Sequence, residues 1–377
     1  MWGAQRVRLF RKMPDSLAPP PTSRLPHPGP THPGPPARDL RRLPKAHLHL
    51  HLVGGMRPGT LRELAARQGV ALPPPLDGSR PGRAGPRAVG GWERFDALYV
   101  TAKRLLRRPG DLVRLVHEIA EDEAAAGSGW VEVTTNPGLY HGRFGSEEAV
   151  LELLLATGRD AALRTGVGIG WIVSADRRHA AHSPGLARLA ARYAGQGVVG
   201  FGLANDERVG VIGDFAEAFS IARDAGLLAV PHAGEHVGAE AVADAVGLLR
   251  ADRVGHGVRA VEDPAVLRLV AGRQVCLEVC PTSNVALGVT PTLARHPLPR
   301  LLAAGCAVTL GADDPLLFGD GLVAQYALAR DRFGVDDAGL ADIARTGVAA
   351  SAAPPSLRRR LLDDVNLWLA GPSTAAA

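Results

Sequence analysis

The chain has little of what several function classes need. Three cysteines stand among 377 residues, Cys276, Cys280 and Cys306, an odd number with no CxxC pair. That argues against a disulfide framework or a cysteine-built zinc site and fits buried thiols in a reducing compartment. Aromatic residues are only 5% of the chain, and they are not interleaved with a basic stripe, as base stacking on nucleic acid would need. No apolar run approaches the ~20 residues that span a bilayer. The net charge of +5 sets 43 Lys and Arg against 38 Asp and Glu, and the basic residues are mostly spread arginines. They read as a solvated surface.

Hydrophobic residues, by contrast, make up 46% of the chain, enough for a large core. Residues 1–40 stand apart: they are rich in proline and arginine, carry the near-repeat "HPGPTHPGPP" and have no apolar stretch of secretory type. They are expected to be a disordered extension, with Met13 as a later start. Residues 371–377, "GPSTAAA", are expected to be a flexible tail, which leaves 41–370 as the working domain and the cytoplasm as its compartment.

From Ala46 onward, short β-prone runs alternate with longer stretches whose apolar residues recur at three and four. The runs predict strands over Ala46–Leu52, Gly129–Thr135, Val167–Ser174, Val198–Ala204, Leu227–His232, Arg253–Gly255, Val275–Cys280 and Ala307–Ala312. Eight βα units point to a (β/α)8 barrel of the TIM type. A doubly wound open sheet is the alternative, but no GxGxxG follows the first strand. The long interval from Val53 to Ser128 holds three helix-like stretches and a Pro/Gly-rich loop. It predicts a helical insertion after the first strand, lying over the barrel mouth as a partial lid.

"PKAHLHLHLVGGMRP", Pro44–Pro58, places His47, His49 and His51 at alternate positions. A strand's period of two then sends the histidines one way and the leucines the other. One such histidine reads most simply as the polar face of a half-buried strand; three in register can share a metal ion. Other predicted strands also end in reactive groups: "VPHAGE" with His232 and Glu235, "RVGHG" with His256, "LEVCPTSN", and "TLGADDPLLFG" with Asp313 and Asp314. The C-terminal ends of barrel strands are where such barrels build their sites.

These segments, with "VVGFGLANDE", occur in the order of the adenosine deaminase family of metal-dependent amidohydrolases. The chain resembles that family from Leu43 to about Leu369. The resemblance implies a hydrolytic aminopurine deaminase, with adenosine or deoxyadenosine as the default substrate. It implies His49, His51, His232 and Asp313 as ligands of one zinc ion per subunit, with iron or cobalt able to substitute. His47 stands where the family usually has a glutamate, outside the ligand set, and is expected near the top of the strand. By the same resemblance Glu235 protonates the ring nitrogen beside the amino-bearing carbon, and His256 orients or deprotonates water with help from Asp313. Asp314 hydrogen-bonds the five-membered ring. The HxE and PCxxC pattern of nucleobase-editing zinc deaminases is absent.

Two departures bear on substrate. Val53 stands where the family usually has an acid that reaches the ribose 5′-hydroxyl, leaving that contact to His51 or a neighbour. Asn205 replaces the glycine whose backbone N–H meets the purine; asparagine tolerates left-handed geometry better than most residues. Adenine and 5′-modified adenosines such as aminodeoxyfutalosine are therefore the alternative substrates, and a more distant alternative is a catalytically silent nucleoside-binding barrel. Arg80, Arg83 and Arg87 in the Pro/Gly-rich loop could meet an anionic 5′ group. The expected partner is a small purine nucleoside, with no nucleic acid and no membrane; the oligomeric state is left open.

Overall fold

The computed structural model describes residues 38–78, 90–140 and 142–371. Most of the Pro/Arg-rich extension, the arginine loop and nearly all of the tail lie outside the described residues. Arg38 and Leu40, assigned to the extension, are ordered against the domain. Arg38 donates to the carbonyls of Trp368, Leu369 and Gly371 and pairs with Asp337, and Leu40 is buried in the apolar layer.

Eight parallel strands follow one another around the sheet in chain order. They are β1 (Lys45–His51), β2 (Ser128–Thr135), β3 (Gly168–Asp176), β4 (Val198–Ala204), β5 (Leu228–Ala233), β6 (Arg253–His256), β7 (Cys276–Val279) and β8 (Val308–Leu310). Each bound lies within two residues of the strand read from the sequence. A parallel bridge between Leu50 and Asp313 brings the last strand back to the first. There the Asp313 N–H donates to the His49 carbonyl and the His51 N–H to the Asp313 carbonyl, both at 3.0 Å. This is a TIM-type (β/α)8 barrel, not an open sheet.

The simple alternation read from β1 fails at His47. His47 lies opposite Val131 and Leu50 opposite Val133, so β1 carries one more residue than β2 over that interval. Such a bulge re-aims side chains. His47 faces the helical layer, where its Nδ1 lies 2.8 Å from Glu123 of the third insertion helix, while His49 and His51 face the barrel axis. His47 therefore sits in mid-strand, not at the top, and is fully buried. Its Nε2 accepts the Ala312 N–H at 3.0 Å, an amide next to Asp313 that would otherwise lack a partner at the seam.

The insertion after β1 forms α1 (Pro58–Arg67), α2 (Trp92–Leu105) and α3 (Pro109–Ala125). Asp111 caps α3 by accepting the Arg107 and Arg108 N–H groups, and α3 then covers β1 and β2. Along α2, Trp92, Phe95 and Tyr99 recur at helical spacing and present one face over the C-terminal mouth. Phe95 stacks on Phe318 at 5.4 Å, which ties the lid to the segment after β8. Among the described residues no helix is long and apolar enough to cross a membrane, and all three cysteines are buried and free.

Candidate active site

The C-terminal strand ends bring every site residue read from the sequence to one cavity except His49, which lies beneath its floor. His51, Asn205, His232, Glu235, His256, Asp313 and Asp314 line it, and Trp92, Phe95, Tyr99, Leu139 and Leu287 supply an apolar wall. Val53 does not line it. Its side chain is fully buried in the apolar layer, so nothing at that position reaches a ligand.

On the cavity floor, ring nitrogens of His49, His51 and His232 cluster closely enough to hold an ion. His51 Nε2 lies 3.2 Å from His232 Nε2 and 3.2 Å from Asp313 Oδ1, and His49 Nε2 lies 3.4 Å from the same oxygen. Four donors each ~2.0–2.1 Å from a tetrahedral ion stand about 3.3 Å apart, and these three separations match that spacing. His49 Nε2 is buried and has no hydrogen-bond partner in the protein, as a ligand atom should. Three imidazoles and one carboxylate suit zinc and other first-row ions.

The groups behind the cluster fix its orientation. His49 Nδ1 is 3.0 Å from Glu278, whose other oxygen accepts from Arg253 Nε at 2.6 Å, and Arg253 also pairs with Glu132. All of these side chains are buried in the barrel. Glu278 thereby holds the His49 proton on Nδ1 and turns Nε2 toward the cluster. Ser283 donates to Asp313 Oδ2, and Arg177 donates to the His232 carbonyl at 2.6 Å.

The carboxyl groups divide into two kinds. Burial alone would raise Asp313, but the imidazoles of His49 and His51 beside it hold it well below the usual carboxylate range. Asp314 is held well above that range by burial and by the adjacent Asp313 charge. Glu235 is likewise held high, by burial first and then by the charges of Asp313 and Glu207. Neighbouring carboxyl groups driven apart in this way assign themselves to different tasks. His256 is pushed well below its ordinary value, chiefly by burial, and its Nε2 lies 3.6 Å from Glu235 Oε1.

Backbone geometry concentrates strain here. Five non-glycine residues among those described have positive φ, and three belong to the site: Asn205 at 82°, His256 at 61° and Asp313 at 61°. Asn205 thus adopts the left-handed conformation that asparagine tolerates better than most residues. Its side chain is committed to Asp176 and to the Asp206 N–H, so its backbone is what remains for a ligand. Gly54 is obligatory for a different reason: a Cβ there would lie 2.0 Å from Asp314 Oδ1.

One of the contributors that escaped the sequence reading follows β4. Glu207, buried after β4, accepts four consecutive backbone N–H groups, those of Gly234, Glu235, His236 and Val237, at 2.6–2.9 Å. It clamps the turn that carries Glu235. Its only sequence signal was its place at the end of "VVGFGLANDE".

A barrel with a His/Asp cluster and a buried high-pKa carboxyl group at its C-terminal mouth is the architecture of a metal-dependent hydrolase. The comparisons narrow this further. Residues 44–368 match the family described as adenosine deaminase, and the chain belongs to that family. A Streptomyces coelicolor protein provisionally named adenosine/adenine deaminase is 50% identical over 337 residues, 88% of this chain and 98% of its own length. The crystal structure of an Arthrobacter aurescens adenine deaminase superposes with a TM-score of 0.79 at 28% identity, covering 87% of this chain and 99% of the other. A Burkholderia ambifaria amidohydrolase with bound Zn gives 0.75 at 26%, covering 89% and 97%. The protein is a hydrolytic deaminase acting on a purine C–N bond.

Proposed function

We propose that the protein hydrolyses adenosine or deoxyadenosine to inosine or deoxyinosine and ammonia, with one zinc ion held by His49, His51, His232 and Asp313. The observation that carries this reading is the gathering of the His49, His51 and His232 ring nitrogens with Asp313 Oδ1, three of their separations being 3.2–3.4 Å, beside the buried carboxyl group of Glu235, whose pKa is held well above the usual carboxylate range. Bound there, the ion supplies Lewis acidity, which brings the pKa of water from about 15.7 to about 7.

The residues then divide the work. Glu235 delivers its proton to the ring nitrogen beside the amino-bearing carbon, which makes that carbon electrophilic. His256 orients the attacking water. Asp314, whose pKa burial and the Asp313 charge raise, hydrogen-bonds the five-membered ring and holds the base in plane, with the Asn205 backbone on its other edge. The amino group leaves as ammonia.

Adenine is the second reading, and Val53 favours it. A buried valine offers no hydrogen bond to a 5′-hydroxyl, and a site without that contact loses discrimination for the nucleoside. Ammonia release from adenosine, deoxyadenosine, adenine and a 5′-modified adenosine, measured on protein of known metal content, separates these readings. A preference for adenosine or deoxyadenosine, abolished in Glu235→Gln, supports the first. A higher kcat/KM for adenine or for the 5′-modified nucleoside moves the assignment to that compound.

A further inference from the structure

We propose that Asn284 and His296 form a buried relay that fixes which ring nitrogen of His256 carries the proton. Neither residue lines the cavity, so they act as positioning residues.

The relay starts from a donor whose identity is beyond question. The backbone N–H of Leu298 donates to His296 Nδ1 at 3.2 Å, so that nitrogen offers its lone pair and the ring proton sits on Nε2. His296 is 4% exposed, and burial pushes its pKa down to about 4, which keeps the ring neutral. Its Nε2–H lies 3.1 Å from the Asn284 side chain, where only the amide oxygen can accept it. That settles the orientation of the amide: the oxygen faces His296 and the NH2 group faces His256. The NH2 group donates to His256 Nδ1 at 3.2 Å, so the proton of His256 is confined to Nε2.

The three side chains are 0–4% exposed, so water does not compete for these bonds. The Asn284 N–H closes a turn onto the Cys280 carbonyl at 3.0 Å, and its own carbonyl accepts the Thr290 N–H at 3.0 Å. His296 packs on Phe333 at 5.4 Å. Each link is therefore held by backbone or packing outside the cavity. The consequence at the site is specific. His256 presents an N–H toward Glu235 and the cavity, so it steadies an oxygen by donating to it and does not take a proton at Nε2.

The test rests on the deaminase reading only for its kinetic part. Full-length, zinc-loaded protein carrying 15N-labelled histidine rings is examined by long-range 1H–15N correlation at neutral pH, with His256 assigned by its loss in His256→Gln. The relay requires the Nε2–H pattern for both His256 and His296. Asn284→Asp is nearly isosteric and accepts on both sides, so it should move the His256 proton to Nδ1. With it kcat should fall at least about 100-fold, as when a catalytic imidazole is held in the wrong tautomer, while KM changes little. His296→Gln, which can still donate to the amide oxygen, should keep the Nε2–H pattern, and His296→Leu should lose it. An Nδ1–H pattern in the unsubstituted protein overturns the relay, whatever the enzyme turns over. A tautomer moved by Asn284→Asp at unchanged kcat overturns its catalytic part. If no aminopurine is deaminated, the function is misassigned, and the spectra still decide the relay.

Discussion

Glu235 shows how much one environment can ask of one residue. Burial and two neighbouring carboxyl groups raise its proton affinity, and the proposed chemistry needs that proton. Because the acid is the active form, activity should be retained below the raised pKa and lost as pH rises through it. The profile of kcat/KM against pH checks this, and Glu235→Gln should lose that limb along with 10²–10⁴-fold of its rate. Glu207 acts one step back. Replacing it with Gln turns an acceptor oxygen into an NH2 group facing backbone N–H donors, so the turn bearing Glu235 must shift. A displacement of about 1 Å can cost about 100-fold; we expect a fall of that order in kcat, with zinc content per chain unchanged. A loss of metal in Glu207→Gln would instead place its effect at His232. That His49, His51, His232, Glu235, His256, Asp313 and Asp314 would meet in one place was legible in the sequence, because their chemistry is rare and each stands at or near a strand end. Glu207, Asn284 and His296 were not, because their roles come from partners 12 to 30 positions away, which no local pattern displays.

At the scale of the element, β1 shows why a correct strand can still be misread. The alternation of His and Leu identified it, and its bounds were right to within a residue. The bulge between His47 and Leu50 depends on register against β2, a tertiary property, so the outward turn of His47 could not be read locally. The element makes its own prediction. His47→Ala leaves the Ala312 N–H and Glu123 Oε1 without their buried partner, Ser128 still donating to Glu123 Oε2, which costs on the order of 1–3 kcal/mol per unsatisfied group. Urea unfolding should show that loss, and activity should fall with it because Ala312 precedes Asp313. Unchanged stability would mean the seam does not depend on His47. Helix α2 is the opposite case: its place in a lid over the barrel mouth was read from the sequence, and the fold adds which face, Trp92, Phe95 and Tyr99, lines the cavity.

For the whole molecule, eight alternating units and catalytic groups at strand ends were enough to anticipate the barrel. What the pattern did not carry was the way it closes. The ends of β1 and β8 that carry the proposed ligands are hydrogen-bonded to each other, so an ion bound there would tie the first strand to the last. A ligand at 100 times its dissociation constant stabilises a fold by about 2.7 kcal/mol. Stripping the metal with a chelator should therefore abolish deamination and lower the melting temperature together, and zinc should restore both. Loss of activity with no change in melting temperature would separate the ion from the seam.

The same closure sets a timetable for the protein's birth. The amide that His47 accepts lies 265 positions further along the chain. At 5–20 residues per second, a ribosome needs about 13–50 s to reach it. Throughout that interval β1 has no eighth strand beside it, and its two inward imidazoles lack the carboxylate that completes their set. With the proposed ligand set, loading with metal would thus be an event of the finished chain. Any product cut short before Asp313 emerges with an open barrel edge and an incomplete site, material for quality control and not a slower enzyme.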